Sequence, residues 1–506
     1  MSAASVLTLC LTLLFCAGAY AEEPASNVPK TSVAARSLEL DRSTYTDGSV
    51  YDNAPPEHDV VKVGVAYNTS AVDYAELTNV SGGGFDIGYY DENREFVRVT
   101  DTGSNSVAIA RADQFGACWH ILIDASYDGL TQARNAAASF GGAAALINGE
   151  YRVIYGSFYS ESAANDTMSL YGLHGAAYRS GAGSFGVINL NNGRCLFLTD
   201  DANTAAVTAA GDGALTLFQG KYYRGGFSAF PMGESLLNVI NYVNIEDYVK
   251  GVIPYEMSSY WPHEALRAQA VCARTYAIYN RDAYIEYGFD LTADTESQVY
   301  RGTQDADATT DAAVDSTAGQ YVRYKGEICD IYYFASDGGA TEDGQNVFGL
   351  DLPYLAGKTD PFEQAVDYSM RSWYAYRSGS DLAWRLAKNG QNIDAVTEIR
   401  PEYSVNGNVI AMTYIDAAGN ELRLEGRDSY AFIGLNNCRF SVTQSDGEFE
   451  FYGSGWGHNC GMSQWGANAM ASVYGYDCED IIRFYFSGAY ICLLYTSDAA
   501  DEARSV

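Results

Sequence analysis

The sequence predicts an α+β fold, mostly β, and three observations predict it. Short alternating apolar runs recur between Val60 and Val99, the period-2 signature of half-buried strands. Residues 118–198 interleave strand-like and helix-like runs in the order β-α-β-β-α-β. Leu266, Ala270, Ala273 and Ala277 then fall at helical spacing, in an alanine-rich helix placed next to Glu256.

The elements follow in chain order. Val6 to Cys16 is apolar, and Ala19-Tyr20-Ala21 gives an A-x-A site before Glu22-Glu23, so 1–21 reads as a secretory signal peptide. No Lys or Arg precedes the apolar run. Two readings stay open there: a start further upstream, or a segment retained as a membrane anchor. Residues 22–57 are polar and aperiodic, a linker. Residues 58–116 are a first β part, with runs at 60–65, 85–90 and 96–99 broken by Gly82-Gly83-Gly84. Residues 117–200 form the β-α-β-β-α-β unit. A strand at 119–123 leads to a helix at 129–140 with Leu130, Ala133, Ala137 and Phe140 on one side. Strands at 144–147 and 151–155 flank an Asn148-Gly149 turn, a second helix runs over 160–170, and β-like runs follow at 185–190 and 194–198. β grammar returns at 223–227, inside a core spanning 215–492. There Ser258 or Ser259 can cap the alanine-rich helix and Pro262 fits its first turn. Glu264 and Arg267, one turn apart, are expected to pair. Residues 493–506 (LLYTSDAADEARSV) read as translated sequencing-adapter sequence and are set aside as a non-native tail.

The 506 residues suggest two to four domains at about 100–200 residues each. Hydrophobic residues at 47% supply sizeable cores and exclude a wholly disordered chain. With 31 Lys+Arg against 64 Asp+Glu the net charge is −33. That balance excludes nucleic acid as a partner, since phosphate binding needs clustered cations, and disfavours an anionic membrane surface. The 41 tyrosines would suit sugar or interface binding, but composition alone favours ordinary core and surface tyrosines. Eight cysteines follow the signal segment, with no CxxC pair and no zinc-finger spacing. Disulfides are open to an exported chain, and Cys272 equally reads as a small buried thiol.

Glu256 lies between Tyr255 and Met257. A carboxyl beside a ring and a thioether is poorly solvated, which raises its pKa and lets the acid form persist near neutrality. A general acid for a glycosidic oxygen needs that property. The alternative is a carboxylate placed at the positive end of the following helix.

The motifs decide between them. The chain carries Val243-Asn244, Tyr248, Gly251-Val252, Glu256-Met257, Trp261-Pro262, Glu264-Ala265-Leu266, Ala268-Gln269-Ala270-Val271 and Ala273-Arg274-Thr275-Tyr276. Phe334-Ala335-Ser336-Asp337-Gly338-Gly339-Ala340-Thr341 follows, then Pro353-Tyr354-Leu355, then the block running from Gly455-Trp456-Gly457-His458 to Ala467. Three ordered blocks within 223–491 resemble the SpoIID/LytB family, the stage II sporulation protein D group. Tyr151 to Phe158, with Ser160 and Ala163, resembles the second half of a SPOR domain, a module that binds peptidoglycan glycan strands.

The resemblance implies an exported lytic transglycosylase acting on peptidoglycan glycan strands, with Glu256 as the catalytic residue. Ser336, Gly338, Gly339, His458 and Gln464 would line the sugar groove, or else stabilise their loops. Arg274 is carried over with the binding set, although its place in the helix suits a bridge to the site floor better. Amidases or other wall enzymes are further implied partners. No cofactor and no metal is expected. Some sporulation members hold zinc through Cys and His before a Q-V-Y element, whereas 285–300 keeps Gln298-Val299-Tyr300 without either ligand type. The second glycine of the family's G-H-G block is Asn459, which tolerates left-handed backbone. A non-catalytic wall-binding amidase enhancer and a glycan hydrolase are the alternatives, and the retained Glu256 favours the transglycosylase.

Overall fold

The computed structural model describes residues 59–112, 118–181, 183–200 and 205–493. The signal-type segment, the linker and the tail beyond Leu493 lie outside these. Leu493 itself closes the strand Tyr490–Leu493, paired with Gln320. The architecture is mixed α+β with more strand than helix. Two compact units divide it: Pro56–Val252 with Asn280–Ala306, and Ile253–Tyr279 with Asp307 onward. Among the described residues no helix is long and apolar enough to cross a membrane.

The first unit is built on a seven-stranded and a ten-stranded sheet. The seven-stranded sheet centres on Leu236–Asn244, which pairs antiparallel with Val60–Ala66 on one side and Gly226–Met232 on the other. The first five elements of the interleaved unit appear in the expected order, Trp119–Ile123, Leu130–Phe140, Ala143–Ile147, Glu150–Phe158 and Glu161–Tyr171, but its closing strand is Gly175–Arg179 rather than the run at 185–190, which pairs instead with Ser106–Arg111. Its tight turn places Asn148 at φ 52 and Gly149 at φ 74, the left-handed pair that a two-residue hairpin needs. Ser160 caps the second helix through Ala163 N–H at 3.2 Å. The strands of this unit are not a separate sheet. Ala143–Ile147 runs parallel to Cys195–Thr199, which joins them to the ten-stranded sheet.

The family's first block opens on a helix that periodicity did not announce, Ile245–Glu256. Asn244 Oδ1 accepts the Glu246 N–H at 2.9 Å, a cap at its start. A Cβ on Gly251 would stand 2.5 Å from the Tyr300 ring, so only glycine lets this helix pack there. Tyr248 donates to Gln298 Oε1 at 3.1 Å, and Tyr300 to Asn241 Oδ1 at 2.9 Å. The Gln298-Val299-Tyr300 element thus completes the packing of the first block.

In the second unit the helix His263–Tyr279 begins right after Pro262 and is buried on most of its circumference. Its alanines admit close neighbours: Ala308–Asp315, Gln320–Tyr324, Gln464–Ser472 and Cys478–Tyr485 pack on it. Glu264 and Arg267 pair at 2.9 Å, and Glu264 also accepts the Cys478 N–H. A second core lies under two three-stranded sheets, Trp373–Ser378 with Glu448–Gly453 and Phe440–Ser445, and Val396–Tyr403 with Val409–Asp416 and Glu421–Glu425. Leu382, Leu386, Met412, Phe449 and Phe451 fill it. All eight described cysteines are free thiols, and Cys272 packs its sulfur 3.9 Å from that of Met462.

Candidate functional site

Glu256 is the last residue of its helix. It therefore sits at the negative end of a helix dipole, not at the positive end of the next helix, and the dipole disfavours its anion. Its side chain is crowded by protein yet keeps a partial opening to solvent. Burial pushes its carboxyl up to about 7, against hydrogen bonds from Gln464 and Tyr333 that favour the carboxylate.

Both donors are delivered by one small device. Tyr333–Phe334 pairs in parallel with Met462–Ser463, so the residue after Ser463 and the Tyr333 side chain converge on one point. Gln464 opens the helix Gln464–Ser472, whose cap Ser463 accepts the Gly466 N–H at 3.1 Å. Gln464 Nε2 donates to Glu256 Oε2 at 3.0 Å and lies 3.5 Å from Gln269 Oε1. Gln269, fully buried, comes from the alanine-rich helix. Tyr333 and Gln269 were not singled out from the sequence. Gln269 lay inside a quoted motif and Tyr333 one position before another, and only the parallel pairing shows what they reach.

His458 stands behind Tyr333. Its Nε2 lies 2.9 Å from the Tyr333 carbonyl, and its Nδ1 accepts the Cys460 N–H at 3.2 Å. These partners define the tautomer with hydrogen on Nε2, which donates to that carbonyl. Burial, with the Arg427 charge, depresses the imidazole to about 3, so the ring stays neutral. His458 thus positions the strand that carries Tyr333.

Ser336 is fully buried. Its hydroxyl donates to Glu363 Oε1 at 2.6 Å and lies 2.8 Å from the Tyr368 hydroxyl. Its backbone bridges Trp456 in both directions. From there it ties one glycine-rich loop to the other. Gly338 and Gly339, in contrast, line an open cavity of about 320 Å³ beside Glu363 and Tyr368. Arg274 is fully buried and donates to the carbonyls of Gln320 at 3.2 Å and Val314 at 3.3 Å. That places it in the core as a bridge between elements, not in reach of a ligand. Asn459 adopts φ 70, the left-handed conformation its position requires, and donates to the Ala340 carbonyl at 2.9 Å.

Three buried carboxylates, Asp337, Asp360 and Glu363, bring oxygens within 4.8 Å of one another. Protein donors serve Glu363 and Asp360 fully, and Asp337 through Oδ1 alone, which accepts the Gly339 N–H at 2.6 Å. Glu363 accepts from Ser336, Ser463 and the N–H groups of Asp337 and Gly338. Asp360 accepts from Tyr485 and the N–H groups of Phe362 and Glu363. Burial, then the Asp360 and Glu363 charges, push the Asp337 carboxyl well up, which favours its protonated form beside the two other carboxyls. This donor set suits a structural acid pair that braces the loops around Ser336.

Comparisons with known proteins agree with this placement of motifs. The SpoIID family, described as Stage II sporulation protein, matches residues 234–324. An uncharacterised protein of Brachyspira hyodysenteriae is 35% identical over 271 residues, 53% of this chain and 71% of that protein. The Amidase enhancer of Bacillus subtilis is 27% identical over 47% of this chain and 39% of its own length. The Stage II sporulation protein D of Bacillus subtilis is 27% identical over 52% of this chain and 78% of its own. The family match over the first motif block, with relatives of these names over about half of the chain, shows that the chain belongs to the SpoIID/LytB family.

Proposed function

We propose that the protein is an exported lytic transglycosylase that cleaves the glycan strands of peptidoglycan. The observation that carries this reading is Glu256: a crowded, partly open carboxyl pushed up to about 7 whose hydrogen-bond partners are an amide and a phenol rather than a second carboxylate. As the acid, Glu256 protonates the glycosidic oxygen between C1 of N-acetylmuramic acid and O4 of N-acetylglucosamine. The C1–O bond breaks and the leaving sugar departs as an alcohol. The carboxylate left behind takes the proton of the C6 hydroxyl as that oxygen bonds to C1, closing a 1,6-anhydro ring. Atoms balance without water, and one carboxyl serves both steps, unlike the paired-carboxylate glycosidases. Gln464 and Tyr333 favour the intermediate carboxylate, as the cycle requires.

The β-α-β-β-α-β unit, read as SPOR-like, would hold the same polymer. The amidase-enhancer reading draws on the name of one relative, and it requires no competent acid. Mass spectrometry of digested glycan strands separates the readings. Anhydro ends mark the transglycosylase and reducing ends a hydrolase. Wall binding without cleavage marks the enhancer. Glu256→Gln is expected to abolish anhydro-muropeptide release and to retain wall binding; undiminished release removes Glu256 from the chemistry.

A further inference from the structure

Two cavities in the second unit join into one trough. The first, of about 320 Å³, is floored by Gly338 and Gly339 and walled by Tyr368 and Arg371. The second, of about 670 Å³, is lined by Trp373, Tyr374, Arg439, Ser441 and Tyr452. Ser372 and Ser454 line both. The near end is tied to the candidate site through Glu363, which accepts from Ser463, the residue before Gln464. The Tyr368 ring stacks on Trp465 at 4.5 Å and 12°, and Trp465 directly follows Gln464, the residue bonded to Glu256.

The far end is an open aromatic face. The strand Trp373–Ser378 alternates, sending Trp373 and Ala375 toward the core and Tyr374 and Tyr376 outward. Tyr452 lies directly opposite Tyr374 in register. Tyr374 and Tyr452 are 54% and 48% exposed, with ring centroids 5.1 Å apart. Both hydroxyls donate to Glu450 at 3.0 and 3.1 Å, which fixes the rings without covering them. Arg439 commits Nη1 to the Asn406 carbonyl and Asn408 Oδ1. Among the described residues its Nε and Nη2 have no protein partner.

We propose that this trough is a distal saccharide subsite. It takes neutral N-acetylated hexose units of the same strand whose linkage lies at Glu256, and it rests on the glycan reading of that site. A pyranose offers an apolar C–H face to a ring and hydroxyl and amide groups at its rim. The trough offers the complement: exposed rings, serine hydroxyls, and a guanidinium with donors to spare. Glu448 and Glu450 on the same face repel phosphate polymers. A ligand that occupies both this trough and the Glu256 site must be extended, which a glycan strand is.

The test uses the full chain with Glu256→Gln, so that ligand is not consumed, and N-acetylglucosamine hexamer as the probe, titrated by calorimetry. Tyr374→Ala with Tyr452→Ala is expected to weaken hexamer binding at least tenfold. Tyr374→Phe with Tyr452→Phe keeps the rings and is expected to stay within about threefold of the parent. In the cleavage-competent chain, the alanine pair raises KM for long strands while kcat changes less than twofold. Unchanged hexamer affinity in the alanine pair overturns the subsite alone, as does a phenylalanine pair that fails equally or a loss confined to kcat. No hexamer binding by the parent overturns the subsite together with the glycan reading beneath it.

Discussion

Two donors of different kinds hold Glu256, and each leans toward its anion. Tyr333→Phe or Gln464→Leu removes a bond that favours the carboxylate, so each raises the Glu256 pKa above about 7. The fall of kcat/KM with rising pH is expected to move to higher pH in both variants; a move to lower pH would mean that these groups favour the acid. His458, neutral down to about pH 3, adds no second inflection, so the profile between pH 4 and 9 is expected to be a single step and not a bell. Stability follows the same group. Its folded pKa lies above the unfolded value, so its stabilising effect is full below the unfolded pKa and is lost as pH rises through about 7. Glu256→Gln escapes that loss. It is expected to be more stable than the parent at pH 8.5, by about 3 kcal/mol, seen as a higher melting temperature, and to melt at nearly the same temperature as the parent at pH 4. Equal melting at both pH values would show that the carboxyl is not perturbed. Glu256 was legible through the motif blocks, since its Tyr-Glu-Met setting alone leaves a helix-end carboxylate equally open. Tyr333 was not, because a tyrosine in a short apolar run reads as an ordinary strand residue until its distant partner strand is known.

The helix Ile245–Glu256 shows where local pattern stops informing. It contains Gly251 and, in its last turn, Pro254, both poor helix interior residues, together with the β-branched Val249, Val252 and Ile253. Packing overrides propensity here: Gly251 lets the helix close on Tyr300. Gly251→Ala is therefore expected to destabilise, by roughly 1–3 kcal/mol, seen as a lower midpoint in urea. An unchanged midpoint would show that the Tyr300 ring gives way freely. The alanine-rich helix was legible because its apolar residues keep one spacing throughout, and Asn148-Gly149 because two left-handed residues fit one turn. The sheets spanning 373–453 were passed over. Their alternation, as in Trp373-Tyr374-Ala375-Tyr376, is present in the sequence, but alternation fixes neither the partner strand nor the register that joins these runs into sheets.

Across the first unit, ten strands form one sheet, yet its two parts meet along a narrow line. Ala143–Ile147 touches Cys195–Thr199 through the residue pairs Leu198–Ala145 and Thr199–Leu146. Within the interleaved unit the ladders run longer, five pairs between Ala143–Ile147 and Glu150–Phe158 for example. The apolar cluster of Ala112, Ala145, Ile147, Ile154 and Leu198 straddles the line. Amides of Leu198 and Thr199 are expected to exchange hydrogen faster than those of Ile154 and Val187; slower exchange there would mean that the cluster, not the ladder, sets local opening. The element order of the interleaved unit was legible in the sequence, but the strand it lies against, Cys195–Thr199, was not, since element order reveals what a segment contains and not its distant partner.

That seam has a mechanical meaning. A load applied to residues 119–179 crosses to the rest of the sheet through a two-pair ladder, the apolar cluster around it and a few bonds such as Tyr89 to Tyr151 at 2.7 Å, fewer ties than the ladders that join its own four strands, so the seam is the boundary that yields first. The segment would then swing away whole, its four strands still laddered to one another, and could settle back once the pull ceased.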